Sequence, residues 1–187
     1  KLQLEENPEE LNLFLLFISR ILNNYHMTPN FSNTINFIFQ HFSGLIKQNF
    51  NSIEIFKIFR KSKLALLLLF ENNIITMNES MLKFIIETDE KYKLFYYFYP
   101  EIKQLIGEKI FQYVDEEFIT NNPTIFENIN EKRHKGANET YLAELIQNDS
   151  IEKFVSLVNQ TNLPLNATII KPSIFETNLY LIENEPT

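Results

Sequence analysis

Apolar residues recur along most of this sequence at the three- and four-residue spacing of an amphipathic helix. One such stretch covers residues 9–24, and Thr28-Pro29 opens a second one that continues to Ile46. This spacing places apolar side chains on one face of an α-helix, whereas a half-buried strand would alternate at every second residue. The pattern therefore predicts helices that bury their apolar faces against one another.

The scarcity of turn-forming residues supports the same fold class. The 187 residues include three Gly and seven Pro, too few for the regular turns of a sandwich or barrel with many short strands. With 44% hydrophobic residues the chain can bury a core without disulfides or metals. A short internal echo, N-E-S/T-x-L at 78–82 and 138–142, suggests a repeated unit. We predict an all-α protein arranged as a helical-hairpin solenoid.

Capping residues predict where individual helices begin. Pro8 suits a first turn, Thr28 can cap a helix with Pro29 at its first position, and Ser52, Ser62 and Asn78 can cap three further helices. In the first helix Leu13, Leu16 and Phe17 widen the apolar face, which predicts that this helix is covered on more than one side. The aromatic run 92–98 and the segment 110–119 are also predicted to be helical, and Pro123 is predicted to open a short helix.

The sequence is predicted to have two parts joined by a basic linker. Residues 1–131 form a helical region of paired helices, residues 132–138 with Gly136 form the linker, and residues 139–187 contain a helix-turn-helix. The hairpin helices are predicted over 139–147 and 150–159. In the second of them, we expect burial of these residues: Ile151, Phe154, Val155 and Val158.

Residue patterns that would support catalysis or cofactor binding are missing from the sequence. The three His residues are far apart, the three Gly residues are isolated, and there is no Cys. Zinc ligand motifs, phosphate-binding loops and the commonest nucleophile motifs therefore cannot be written. The acidic run 115–117 is interpreted as a solvated helix face. We expect no enzyme activity, no cofactor and no metal.

Two groups of residues are candidates for contact with a partner. Lys57, Arg60 and Lys63 form a basic patch, whose alternative interpretation is a solvated helix end. Tyr96 and Tyr97 belong to the aromatic run, which can serve either the core or an interface. Because the net charge is −7, nucleic acid is not the expected partner. The longest apolar run, 64–70, is far below the roughly 20 residues that span a bilayer.

The segment 141–166 resembles a degenerate ankyrin repeat, in which Asn148 replaces the usual Gly and the T-P-L-H opening is missing. This departure suits an end-capping or divergent repeat. The wider region 126–187 is similar to the part that precedes the repeats in a large protist family of ankyrin-repeat proteins. The residues that match the two repeat helices are Leu142, Leu145, Ile146, Ile151, Phe154, Val155, Leu157 and Val158.

The resemblance implies a non-catalytic protein–protein interaction scaffold. Repeat proteins bind through an extended concave surface, so Tyr141 and Glu144 on the first hairpin helix are candidate contact residues. The alternative is a structural component of a fixed assembly, such as a cytoskeletal or axonemal complex, and a third option is an unrecognised hydrolase. The lack of Cys fits a reducing compartment, so we expect a cytoplasmic location. Because Lys1 is not Met, we expect the chain to be part of a longer protein.

Overall fold

The computed structural model describes residues 7–24, 29–88, 94–113, 127–135, 145, 149–161 and 175. Over these residues the structure is helical and has no strand, which confirms the all-α prediction. The solenoid and ankyrin-like arrangements stay predictions. The α-helices are α1 (Pro8–Asn24), α2 (Pro29–Asn49), α3 (Ser52–Phe59), α4 (Lys63–Glu71), α5 (Glu79–Thr88), α6 (Leu94–Tyr97), α7 (Tyr99–Ile106), α8 (Ile129–Lys135) and α9 (Ile151–Thr161), and the 3-10 helix Gly107–Gln112 follows α7.

Helix α4 lies at the centre of the described fold. Every residue from Lys63 to Leu69 is buried, so α4 is enclosed on all sides and not along a single stripe. Helices α2, α3 and α8 all contact it. Because a helix of nine residues is too short to be stable alone in water, this burial supplies its stability.

Aromatic side chains join the helices that surround α4. Phe39 of α2 meets Phe59 of α3 edge to face, with ring centroids 5.4 Å apart. Phe70 of α4 contacts Phe98, which lies between α6 and α7, at 4.8 Å. Tilted and edge-to-face pairs of this kind stabilise a core beyond the area that they bury. A hydrogen bond also links α1 to α3, because Ser19 Oγ donates to the Ile58 carbonyl at 2.7 Å.

The helix starts were largely predictable from local capping. Ser62 and Asn78 accept backbone hydrogen bonds as predicted, from Ala65 N at 3.4 Å and Met81 N at 2.9 Å. The prediction that Ser52 caps α3 is wrong, because Asn51 is the N-cap. Its Oδ1 accepts from Ile53 N and Glu54 N, both at 3.0 Å, and Glu54 Oε2 accepts from Asn51 N at 2.8 Å. This reciprocal capping box satisfies more backbone groups than a serine one position later could.

Two predicted segments differ from the observed helices. The aromatic run is helical in its described part, but α6 ends at Tyr97, and α7 restarts with Pro100 in its first turn. Proline has no N–H to continue the ladder of the preceding helix, so the break lies just before it. Residues 110–112, at the start of the helix predicted over 110–119, belong instead to the 3-10 helix Gly107–Gln112, which is entered through Gly107 at a φ of +58°. Residues 114–120 and the helix start predicted at Pro123 lie outside the described residues.

The C-terminal third also differs from its sequence prediction. Residues 132–135, placed in a linker by their basic composition, belong to α8, because the Arg133 side chain is buried against the core. Helix α9 forms where the second hairpin helix was predicted, but none of its residues is buried. Phe175 is fully buried in the main core, 6.4 Å from the Tyr97 ring. Most of the first hairpin helix lies outside the described residues, although Leu145 is buried and helical.

Replacement of Asn51 tests the capping box. We expect Asn51→Ala to lower the free energy of unfolding by about 1–2 kcal/mol, because two backbone N–H groups lose their acceptor. Ser52→Ala is the matched control, and its effect should stay within about 0.5 kcal/mol. Urea unfolding followed by circular dichroism measures both, and an equal loss in the two variants would contradict the assignment of the cap.

Candidate functional site

The structure separates the basic residues that the sequence grouped into one patch. Lys57 and Arg60 are exposed, whereas Lys63 is buried with only 2% of its surface accessible. The Lys63 ammonium lies 5.9 Å from the centre of the Tyr97 ring, and Lys57 Nζ lies 5.3 Å from that of Phe84. Both cations thus face aromatic rings of their own chain. Lys63 has a place in the core and cannot form a common binding surface with the other two residues.

The aromatic candidates also belong mainly to the interior. Tyr97 is completely buried, and Tyr96 is half-buried at the edge of the core. The interpretation of this aromatic run as core packing therefore holds for Tyr97, which cannot touch a partner while the protein is folded. The remaining two candidates, Tyr141 and Glu144, lie outside the described residues, so their role as contact residues stays a prediction.

Arg133 of α8 forms a buried ionic cluster that sequence analysis missed. Its Nη1 donates to both carboxylate oxygens of Glu101, at 2.9 and 2.8 Å, and its Nη2 donates to Asn130 Oδ1 at 2.6 Å. The Arg133 side chain is only 4% exposed, and that of Glu101 is 25% exposed. This pair ties α8 to α7 in a low-dielectric setting, where breaking it leaves a charge without its partner. The composition of 132–135 suggested a solvated linker, so no local signal marked Arg133 as buried.

The Tyr97 ring lies close to two cations, Lys63 and Arg133. The Arg133 guanidinium is 5.8 Å from the Tyr97 ring centre, and the Tyr97 hydroxyl donates to the Arg133 carbonyl at 3.3 Å. Burial raises the pKa of the Tyr97 hydroxyl far above its ordinary value, an effect that Arg133 opposes and that Glu71 and Glu101 reinforce. A phenol held neutral in this way acts as a hydrogen-bond donor. The cluster therefore joins α8 to α6 and α7, and its contacts serve the stability of the fold.

The surface most suited to binding lies on α1. Leu13, Leu16 and Phe17 are 65%, 41% and 60% exposed, respectively. The sequence pattern identified these three residues as apolar and predicted that α1 is covered on more than one side. That prediction is wrong, because the core covers the opposite face of α1 and leaves these three residues exposed. We call Leu13, Leu16 and Phe17 the α1 apolar face. Neighbouring large apolar side chains in contact with water are typical of interaction sites.

A shallow groove between α1 and α3 adjoins this face. It has a volume of about 540 Å³, and Leu13 is shared between the groove and the α1 apolar face. Half-buried Phe50 and Ile58 provide apolar surface, and Glu54 and Lys57 contribute opposite charges. The face and the groove together offer an apolar surface with a polar rim, the anatomy of a protein-binding site. The groove residues are Pro8, Glu9, Asn12, Leu13, Phe50, Glu54, Lys57 and Ile58.

Exposed apolar side chains also occur on α2 and α9. Phe37 of α2 is 67% exposed and stacks on His41, with ring centroids 6.1 Å apart. On α9, Ile151 and Val155 are 64% and 49% exposed, although both were predicted to be buried. The 3.6-residue pattern correctly predicted that α9 is amphipathic. It could not predict whether another element covers the apolar side.

Clusters of metal ligands and membrane-spanning helices are both absent from the part of the chain that the structure describes. Among the residues that the structure describes, no three or more His, Asp or Glu side chains cluster as metal ligands would. Within the same ranges no helix is both long and apolar enough to cross a membrane.

Comparison with family models, curated proteins and solved structures finds no match to this chain. The α1 apolar face and the adjoining groove are therefore the features of this chain that bear on its function.

Replacement of Arg133 tests the structural role of the buried cluster. We expect Arg133→Ala to lower the free energy of unfolding by about 3 kcal/mol, because Glu101 and the Tyr97 carbonyl lose a buried donor. Lys83→Ala is the control, since it breaks an exposed pair with Glu87 at 3.7 Å and should cost about 0.5 kcal/mol or less. Chemical denaturation gives both values. Similar losses would show that the cluster contributes no more than a surface ion pair.

The buried hydroxyl of Tyr97 predicts a decline of stability in alkali. Its pKa is raised in the folded state, so its contribution is complete below about pH 10 and is lost above it, as the unfolded state ionises first. We expect the loss to reach at most about 1.4 kcal/mol per pH unit. Tyr97→Phe should flatten this slope, and Tyr113→Phe, at an exposed position, should leave it unchanged. Urea unfolding between about pH 8 and 12 provides the measurement, and identical slopes in all three proteins would contradict the prediction.

Proposed function

We propose that this protein is a non-catalytic protein–protein interaction scaffold of the ankyrin-repeat type. The observation that carries the proposal is the α1 apolar face, which lies on the side of α1 that points away from the core. Burial of such side chains by a partner is favourable by about 25 cal/mol for each Å² of apolar surface. Because this surface is formed by a regular helix, it is pre-organised for binding and loses little conformational entropy on association.

The ankyrin-type part of the proposal is supported by the C-terminal sequence and by α9. A repeat of this kind cannot bury its apolar face alone and gains a continuous core by stacking on a neighbour. The exposed Ile151 and Val155 give α9 an apolar side that such a neighbour would cover. Under this proposal α9 stacks on an adjacent repeat, whereas the α1 apolar face binds the partner.

A fixed assembly is the second candidate function, and a specific observation favours it. Large apolar side chains are exposed on five of the described helices, α1, α2, α5, α7 and α9, and permanent subunits carry more apolar contact surface than reversible partners do. In this case the chain would be a structural component of a cytoskeletal or axonemal complex. It would then aggregate when isolated, whereas a reversible scaffold would stay in solution and exchange its partner.

The scaffold proposal predicts that partner capture depends on the α1 apolar face. The folded chain serves as bait in native cell extract. The double variant Leu13→Lys with Phe17→Lys should capture at most about one-tenth as much of a specifically bound protein, because central apolar contacts dominate the free energy of binding. Quantitative mass spectrometry of the captured proteins gives the measurement. Circular dichroism must show the same helix content in both baits.

Two control baits make the result specific. Phe37→Lys changes an aromatic residue of similar exposure on α2, and it should capture the partner as the unmodified chain does. Lys57→Glu with Arg60→Glu tests the two exposed cations of the basic patch. A partner lost only with this second control would assign binding to the basic residues, and equal capture by all baits would contradict the role of the α1 apolar face.

A further inference from the structure

We infer that the α1 apolar face binds the same face of a second copy of this chain, with the two helices antiparallel about a two-fold axis. The inference rests on the proposed function, because it assigns a partner to the surface on which that function depends. It is drawn from the order of charged and apolar residues along the exposed side of α1.

The exposed side of α1 is a continuous stripe. Successive helical residues are rotated by about 100°, so the five positions of the stripe fall within an arc of roughly 100°. All five are exposed, and the core residues of α1 lie on the opposite side of the helix. The stripe is therefore directed to solvent over three turns of α1. Its residues, in chain order, are Glu9, Leu13, Leu16, Phe17 and Arg20.

The order of residues in the stripe is self-complementary when one helix is reversed. An acidic residue stands at its start, apolar residues occupy its middle, and a basic residue stands at its end. In an antiparallel pair centred between positions 14 and 15, Glu9 lies level with Arg20 of the second copy, and Leu13 lies level with Leu16 and one residue away from Phe17. A two-fold interface requires this property, because the same patch must fit itself. A parallel pair would instead bring like charges together.

The surroundings of the stripe are compatible with a second copy. Glu54 and Lys57, on the groove wall beside Leu13, have opposite charges and contribute no net charge. Both already interact within their own chain, Glu54 with the backbone of Asn51 and Lys57 with the Phe84 ring. Arg20 also has an interaction within its own chain. The self-complementary order requires only that Arg20 is exposed and positively charged. Glu54 and Lys57 therefore do not themselves favour a strongly acidic or a strongly basic partner.

The size of the surface sets the expected strength of the dimer. Stable interfaces bury about 1,600 Å² in total, and a single pair of short helices with three apolar residues each buries less. The dimer should therefore be weak, with a dissociation constant on the order of micromolar or higher. Association of this kind depends on concentration and is visible only when protein concentration is varied.

Sedimentation equilibrium from about 1 μM to 1 mM tests whether the dimer forms. We expect a monomer–dimer equilibrium that Phe17→Lys weakens by about tenfold or more, whereas the matched variant Phe37→Lys leaves it unchanged. Equal helix content and thermal unfolding midpoints confirm that both variants are folded. A monomer at every concentration would overturn the inference, as would an equal effect of the two variants.

Engineered thiols test the orientation of the two helices, because the chain has no cysteine of its own. On oxidation, a mixture of Leu13→Cys and Phe17→Cys chains should form the mixed disulfide between positions 13 and 17. Glu9→Cys chains alone should form none, since the antiparallel arrangement separates these two positions by roughly 17 Å along the axis. Rapid disulfide formation by Glu9→Cys chains would establish a parallel pair and overturn the antiparallel arrangement.

The outcomes distinguish this inference from the proposed function. In one outcome the chain is monomeric, and it captures another protein that the variant with Leu13→Lys and Phe17→Lys does not capture. The second-copy inference is then overturned and the scaffold function stands. If the chain dimerises through α1 and captures nothing else, the inference is supported and the scaffold proposal loses its external partner.

Discussion

The burial of α4 from Lys63 to Leu69 is the constraint on which the rest of the structure depends. A helix that is apolar around nearly its whole circumference needs neighbours on every side, and α2, α3 and α8 provide them. Hydrogen bonds close both of its ends. Ser62 accepts from Ala65 N at the start, and at the end Asn72 Nδ2 donates to the Leu68 carbonyl and, across to α2, to Asn36 Oδ1. The surrounding helices can then present their outer faces to other molecules.

The burial of α4 also accounts for the unexpected position of the charged residues. Lys63 begins α4 and is drawn inside with it, where the Tyr97 ring offers a π face to its ammonium. Arg133 lies near the same Tyr97 ring and pairs with Glu101. Removing such cations from water is costly, and the aromatic ring and the carboxylate offset part of that cost. These residues therefore hold α8 against the core and leave partner binding to other parts of the surface.

The proposed binding role rests on the two-sided character of α1. Its inner residues pack in the core, and Ser19 fastens it to α3, so the helix is held rigidly. Its outer side carries apolar residues that water solvates poorly. A rigid helix with an apolar outer side is suited to recognition, because partner side chains meet a surface whose shape is already determined. The same two-sided design makes self-association and partner binding competing uses of one surface.

Local sequence determined the helices themselves. The apolar period and the caps at Ser62 and Asn78 act within about four residues, so most helix positions were predictable. Asn51 and Ser52 were both possible N-caps of α3, and the reciprocal hydrogen bond between Asn51 and Glu54 decided for Asn51. Tertiary structure alone decided which apolar and charged residues are inside. Lys63 and Tyr97 became buried and Leu13 and Phe17 stayed exposed because burial depends on neighbours distant in sequence, and helical periodicity contains no information about those neighbours.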